Sequence, residues 1–292
     1  MNPPAGFRYF DAHTHLHPPR LFAAIRRWFD DHTDWNLGGP TEPADVAAAL
    51  RASGVERFVF FSYAHRPGMA RELNRWLRDV AAGLPDGIPL GTVHAGDDDP
   101  AAIVEEACRD FGFAGVKLHV QVQAFPADDL RMLPVYERLL ALDRVLVIHV
   151  GTGPHVSPFT GIARFARVLE RFPALRAVVC HMGAFETRTS LALLDRFPRL
   201  HLDTTMAMTE ASARFTGIDP RVVRDADLVR YQDRIVFGSD FPNLPYAYEE
   251  ERRGLWARNL PLPVYRRIFY ENARALFSAG RRPAPAPYGH AG

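Results

Sequence analysis

Val145-Leu146-Val147-Ile148-His149-Val150-Gly151 is four aliphatic residues in an unbroken run, then a histidine, then a glycine two positions on. A short apolar run without alternation reads as a strand buried on both faces, the kind found in parallel sheets covered by helices. The histidine falls where such a strand ends and the chain turns. Ala177-Val178-Val179-Cys180-His181-Met182-Gly183 repeats the pattern, and Arg234-Ile235-Val236-Phe237-Gly238-Ser239-Asp240 repeats it with a carboxylate in place of the imidazole.

Working outward, similar runs rich in Val, Ile and Phe predict eight strands, at 8–11, 57–62, 89–93, 115–118, 145–148, 177–180, 200–203 and 234–237. Amphipathic spacing predicts helices at 42–52, 69–82, 100–111, 132–142, 160–172, 187–197 and 264–277, two of them closed by Phe-Pro pairs. Eight strand–helix units in 292 residues predict an α/β fold of the (β/α)₈ TIM-barrel type, with one domain over residues 1–279. An open doubly wound sheet is the alternative, but no G-x-G-x-x-G turn follows an early strand. Residues 16–43 and 209–233 read as long loops on the C-terminal rim, and 280–292 as a Pro/Ala-rich tail.

The chain is 47% apolar and 24% charged, an ordinary globular balance. Its 35 basic and 34 acidic residues leave a net charge of +1, with no electrostatic footprint for nucleic acid or an anionic membrane. No leader pattern and no spanning apolar run is present, so a cytoplasmic protein with a small-molecule substrate is expected. Cys108 and Cys180, too few for a disulfide framework, read as reduced and buried.

The chemistry-bearing residues gather at one end of the predicted strands. Strand one ends in Asp11-Ala12-His13-Thr14-His15, whose histidines at i and i+2 project to one side of an extended chain. Such a pair alone says little, because a lone strand-end histidine is more often a satisfied polar residue. With His149, His181 and Asp240 at the same rim, that bland reading fails, since barrel enzymes draw catalytic groups from the C-terminal ends of several strands. Lys117 and His119 close strand four and read as a pocket pair. Arg66 and His94, in loops after strands two and three, are candidate substrate contacts. His17, His65 and His155 read as solvated loop residues, and Trp28, Trp35 and Phe159 as either pocket walls or loop anchors, left out of the site.

The motifs DAHTHLHP (11–18), GTVHAGDDD (91–99), GFAGVKLHVQVQAF (112–125), VLVIHVG, AVVCHMG, IVFGSDFP (235–242) and ENARALF (271–277) resemble, in order, those of the amidohydrolase superfamily. The likeness is greater to its branch of small metal-dependent barrels, which includes aminocarboxymuconate-semialdehyde decarboxylase. It implies His13, His15, His149 and Asp240 as metal ligands and His181 as the histidine that orients water or substrate; since some relatives carry a carboxylated lysine at the end of strand four, it also implies Lys117, with His119 beside it, as a candidate bridge to a second metal. Imidazoles with one carboxylate suit one divalent ion, with zinc expected first and Mn, Fe or Co as alternatives. Related barrels also suggest a homodimer.

Three functions follow from such a site. The broadest is hydrolysis of a C–N or C–O bond in an amide, lactam or lactone by metal-activated water, with Asp240 as proton shuttle and His181 aligning the water or steadying an oxyanion. The second is a lyase, a non-oxidative decarboxylase or hydratase acting on an aromatic or unsaturated carboxylic acid. The third is a metal-binding barrel without turnover.

Overall fold

The protein was analysed as a computed structural model, which describes residues 3–278; the expected tail at 280–292 lies outside the described residues. Strands β1 (Tyr9–His15), β2 (Val55–Phe61) and β3 (Gly87–Pro89) pair in parallel, and β4 (Gly91–Thr92), β5 (Gly115–His119), β6 (Val145–His149), β7 (Ala177–Val179), β8 (Leu200–Asp203) and β9 (Ile235–Val236) continue in sequence order. Leu90 alone separates β3 from β4. Its amide donates to the Phe60 carbonyl (3.0 Å), and the Ala114 amide donates to Pro89 (3.3 Å), so β3 and β4 occupy one position in the wall. At the other seam the Ala12 amide donates to Phe237 (2.8 Å), and Thr14 pairs in parallel with Phe241. The eight positions expected from the sequence therefore join into a ring.

Alternation divides the core into two. Phe10, Val59, Phe61, Val145, Val147, Val178 and Val236 pack inside the ring, where Tyr270, Ala273, Leu276 and Phe277 join them. Their strand neighbours Phe58, Phe60, Leu146, Ile148 and Val179 face outward to the helices. The same parity carries β6 from Val145 and Val147 to His149 at the inner rim. In β1 a register shift between Asp11 and Thr14 breaks the parity set by Phe10 and Ala12, and a bulge of this kind re-aims the side chains beyond it.

The helices α2 (Pro43–Ala52), α3 (Ala70–Ala82), α5 (Leu133–Ala141), α6 (Ile162–Arg171) and α7 (Thr187–Arg196) fall where amphipathic spacing put them. Residues 16–43 are not a plain loop. They contain α1 (Pro19–His32), which opens on a proline at its first position and has only Phe22 fully buried, so its apolar stripe is faint in sequence. Residues 209–233 likewise hold α8 (Glu210–Thr216) and α9 (Asp225–Arg230). The helix expected at 100–111 passes from α4 (Pro100–Glu105) into a π-helical turn, and that at 264–277 is α11 (Leu262–Arg266), a π-helical turn and α12 (Asn272–Ser278). One helix with no sequence expectation, α10 (Glu249–Trp256), packs behind the rim. Both cysteines are free and buried, and among the described residues no helix is long and apolar enough to cross a membrane.

Candidate metal centre and its pocket

His13, His15, His149, His181 and Asp240, with Lys117 and His119, line one cavity at the C-terminal rim. Five different strand ends meet there, because each wall strand stops at the same level. In Gly238-Ser239-Asp240 the glycine is required: a Cβ on Gly238 would lie 2.4 Å from Thr205 Oγ1 and 2.6 Å from His13 Cβ. The turn it permits holds Asp240 at φ 77°, a left-handed conformation that few non-glycine residues adopt.

One oxygen of Asp240 faces two imidazoles: Oδ1 lies 2.8 Å from His15 Nε2 and 3.0 Å from His13 Nε2. On the far side of the His13 ring, Nδ1 lies 2.8 Å from Asp203 Oδ2. A carboxylate can only accept, so the Asp203 contact places the proton of neutral His13 on Nδ1 and leaves Nε2 as a lone pair facing another acceptor. Two acceptors at 3.0 Å need a proton or a cation between them. His15 Nδ1 and His149 Nδ1 are moreover buried without a hydrogen-bond partner. Donor atoms of His13, His181 and Asp240 lie within 4.8 Å of one another, and the His149 ring centroid is 4.7 Å from that of His181. Imidazole and carboxylate donors at this spacing fit a divalent ion of the zinc or manganese kind.

The electrostatics agree with that fit. Burial pushes His15 and His181 down to about 4 and His149 and His119 well below the usual histidine range, so these rings stay neutral and available as donors. Burial and Lys117 also oppose charge on His13, but Asp203 and Cys180 outweigh them and raise it well above that range. Asp240, despite a burial that favours its neutral form, is held ionised by His15 and His13. The centre thus offers anionic carboxylates to a position that calls for positive charge.

Sequence reasoning missed Asp203. Its Oδ2 fixes His13 and its Oδ1 accepts from the His181 amide (2.8 Å); the available signal was its place at the end of β8. Asp11, fully buried, accepts from the His13 amide, Ser239 Oγ and the Tyr248 hydroxyl at 3.0, 2.6 and 3.1 Å.

His181 Nδ1 lies 3.1 Å from the Thr205 carbonyl, an acceptor, so this nitrogen carries the ring proton. The other nitrogen is then a lone pair, which orients a hydroxyl or water but cannot donate to an oxyanion. His119 stacks on His149, centroids 4.0 Å apart and planes 9° from parallel. Lys117 Nζ sits 2.9 Å from Cys180 Sγ and 4.8 Å above the Phe61 ring.

Arg66 and His94 are not brought to the site. Arg66 is exposed and does not line the cavity. His94 uses both ring nitrogens on backbone, Nε2 to the Gln123 carbonyl and Nδ1 from the Gly96 amide, each at 2.9 Å. Of the three aromatics left open between pocket wall and loop anchor, Trp28 and Trp35 line the cavity with Phe29, Tyr63, Met206 and Ile218, whereas Phe159 does not. The first aromatic group comes from α1 and the turn after it, the segment expected to be loop. The enclosed space is about 130 Å³, the scale of a single aromatic ring.

The sequence model of the amidohydrolase family matches residues 10–279. A search of curated protein sequences finds no match. Among solved structures, an uncharacterized TIM-barrel protein from Bordetella bronchiseptica is similar over 94% of this chain and 100% of its own, with 21% identity and a TM-score of 0.69. The 5-carboxyvanillate decarboxylase of Novosphingobium aromaticivorans, solved with manganese and 4-hydroxy-3-methoxy-5-nitrobenzoic acid, matches over 94% and 96% with 18% identity and a TM-score of 0.65. The 4-oxalomesaconate hydratase of Rhodopseudomonas palustris matches over 92% and 95% with 17% identity and a TM-score of 0.61. These likenesses establish the TIM-barrel fold.

Proposed function

Because the chain belongs to the amidohydrolase family, we propose that it is a metal-dependent lyase that removes carbon dioxide from a small hydroxylated aromatic carboxylic acid. The observation that carries this reading is the cavity itself: a single-ring space walled by Trp28, Phe29, Trp35 and Tyr63 above the imidazole cluster and Asp240. The decarboxylase and hydratase activities of two of the structural neighbours support the same kind of reaction. Hydrolysis, the first expectation from sequence, would use the same groups and moves to second place.

His13, His15, His149 and Asp240 would hold the ion, zinc or manganese, which when bound supplies Lewis-acid polarisation of a substrate oxygen. The aromatic walls orient the ring by stacking and keep water from the reacting carbon. Asp240, ionised at neutral pH, accepts the proton of the substrate hydroxyl. The ring carbon that bears the carboxylate takes this proton as the bond to that group breaks; the bonding electrons stay on carbon, and neutral CO₂ leaves. His181, through its free ring nitrogen, accepts from a water whose second hydrogen is donated to the substrate hydroxyl oxygen, which leaves the hydroxyl proton directed at Asp240.

The test is a panel of hydroxybenzoic acids, with lactones and amides as the opposing set, each run on metal-loaded and chelated protein. Chelator-sensitive CO₂ release from an acid is expected. Turnover confined to lactones or amides would overturn the lyase reading in favour of hydrolysis, and no turnover of either set would favour the non-catalytic barrel.

A further inference from the structure

The short helix α10 supports the site from behind. A Cβ on its Gly254 would lie 2.3 Å from the Met208 carbonyl oxygen, so the helix backbone rests directly on the segment after β8. At this contact Glu251 is buried, 1% exposed. Its Oε2 accepts from the Met206 amide at 3.0 Å and its Oε1 from the Tyr246 hydroxyl at 2.5 Å. Met206 has φ 49°, a left-handed conformation that is strained for a non-glycine residue and persists only where its surroundings impose it. The residue before it, Thr205, presents the carbonyl that receives His181 Nδ1–H.

We propose that Glu251 is a positioning residue for His181: by holding the Met206 amide it fixes the left-handed turn that aims the Thr205 carbonyl at His181 Nδ1. Glu251 touches no metal ligand and no substrate. Its reach ends on backbone, and the backbone decides which nitrogen of His181 carries the proton. Removing the acceptor leaves a buried amide unpaired, which is costly enough to drive the turn back toward negative φ. The Thr205 carbonyl then swings away, and His181 is free to exchange between its two neutral forms. Burial, opposed by the bonds from Tyr246 and Met206, lifts the Glu251 carboxyl to about 8. In the protonated form Oε1 carries the proton and donates it to the Tyr246 oxygen while Oε2 still accepts from the Met206 amide, and the amide of glutamine supplies the same donor and acceptor.

The consequence for turnover rests on the lyase reading, but the state of the His181 ring does not. The experiment therefore reads the ring: nitrogen NMR of protein carrying labelled histidine imidazoles, zinc-loaded and metal-free, with His181 assigned by the signals lost in His181→Gln. Wild type and Glu251→Gln should both show His181 with its proton on Nδ1. Glu251→Met, which keeps the volume and removes the acceptor, should move His181 to an averaged pattern of both forms. Glu251→Asp, one methylene short of the Met206 amide, should do the same and decides the matter if the Met variant does not fold. Turnover should fall about tenfold or more in the Met and Asp variants and recover in Gln, as for other groups that orient a site residue. A folded Met or Asp variant whose His181 signals match wild type would overturn the proposal. A changed ring without any decarboxylation in wild type would instead count against the lyase reading alone.

Discussion

Asp203 Oδ2 lies 2.8 Å from His13 Nδ1, on the opposite side of the ring from Asp240. The two carboxylates hold one imidazole between them, one fixing its proton and the other sharing its lone pair with the proposed ion. Asp203→Asn keeps an acceptor oxygen but loses the charge, and should weaken metal binding about 10–100-fold. Competition with a chromophoric chelator measures this; affinity equal to wild type would remove Asp203 from metal support.

Asp240→Asn should be more severe, because Asp240 is proposed as both ligand and proton carrier. Turnover should fall by about 10²–10⁴ even when metal is restored to saturation. Elemental analysis of the same samples separates lost metal from lost proton transfer. An Asn variant with full metal content and near-normal turnover would leave Asp240 as a ligand only.

Lys117 Nζ is packed against Cys180 Sγ and the Phe61 ring. His13, Cys180 and Asp203 also bring donor atoms within 4.8 Å of one another, yet the Lys117 ammonium lies against this group. One ion per chain is therefore expected, and Lys117→Met should retain it. Two ions in wild type falling to one in the variant would establish the carboxylated bridge instead.

Trp28 stands half exposed at the cavity mouth. Trp28→Ala should raise KM about 3–10-fold, the value of one aromatic contact, with kcat little changed. Loss confined to kcat would move Trp28 from ring binding to the chemistry.

The Glu251 carboxyl also predicts a pH effect on stability. Folded, it keeps its proton up to about 8, whereas its ordinary value is 4.5. Between these values the folded state binds more protons, so this group lowers stability as pH rises. Glu251→Gln removes the effect, and its stability relative to wild type should climb between about pH 5 and pH 8, by at most about 1.4 kcal/mol per unit. Urea unfolding of both proteins at three pH values reads the slope; a constant difference would refute the raised value.

The ring of strands and its five rim residues were legible because two simple regularities coincide in them. Aliphatic runs such as 145–148 mark the wall, and the next polar residue must fall at the rim. The supporting groups carry no such mark. Asp203 ends a strand as inconspicuously as any terminal aspartate, and Glu251 sits in Glu249-Glu250-Glu251-Arg252-Arg253, a charged run that reads as solvated surface until the fold buries one member. Helix α1 hid for a related reason, since a helix that roofs a cavity turns few residues to a core. Arg66 and His94 lie off the cavity lining or turned to backbone, because proximity to a strand end in sequence does not fix which way a loop side chain leaves it.

The most direct measurement of the central claim uses a hydroxybenzoic acid with a heavy-carbon carboxyl, turned over in deuterium oxide by the metal-loaded protein. The account predicts one labelled CO₂ per product molecule, one deuterium at the vacated ring carbon, and loss of both in Asp240→Asn. Label retained in an intact carboxyl group while lactones or amides are cleaved by the same preparation would contradict it.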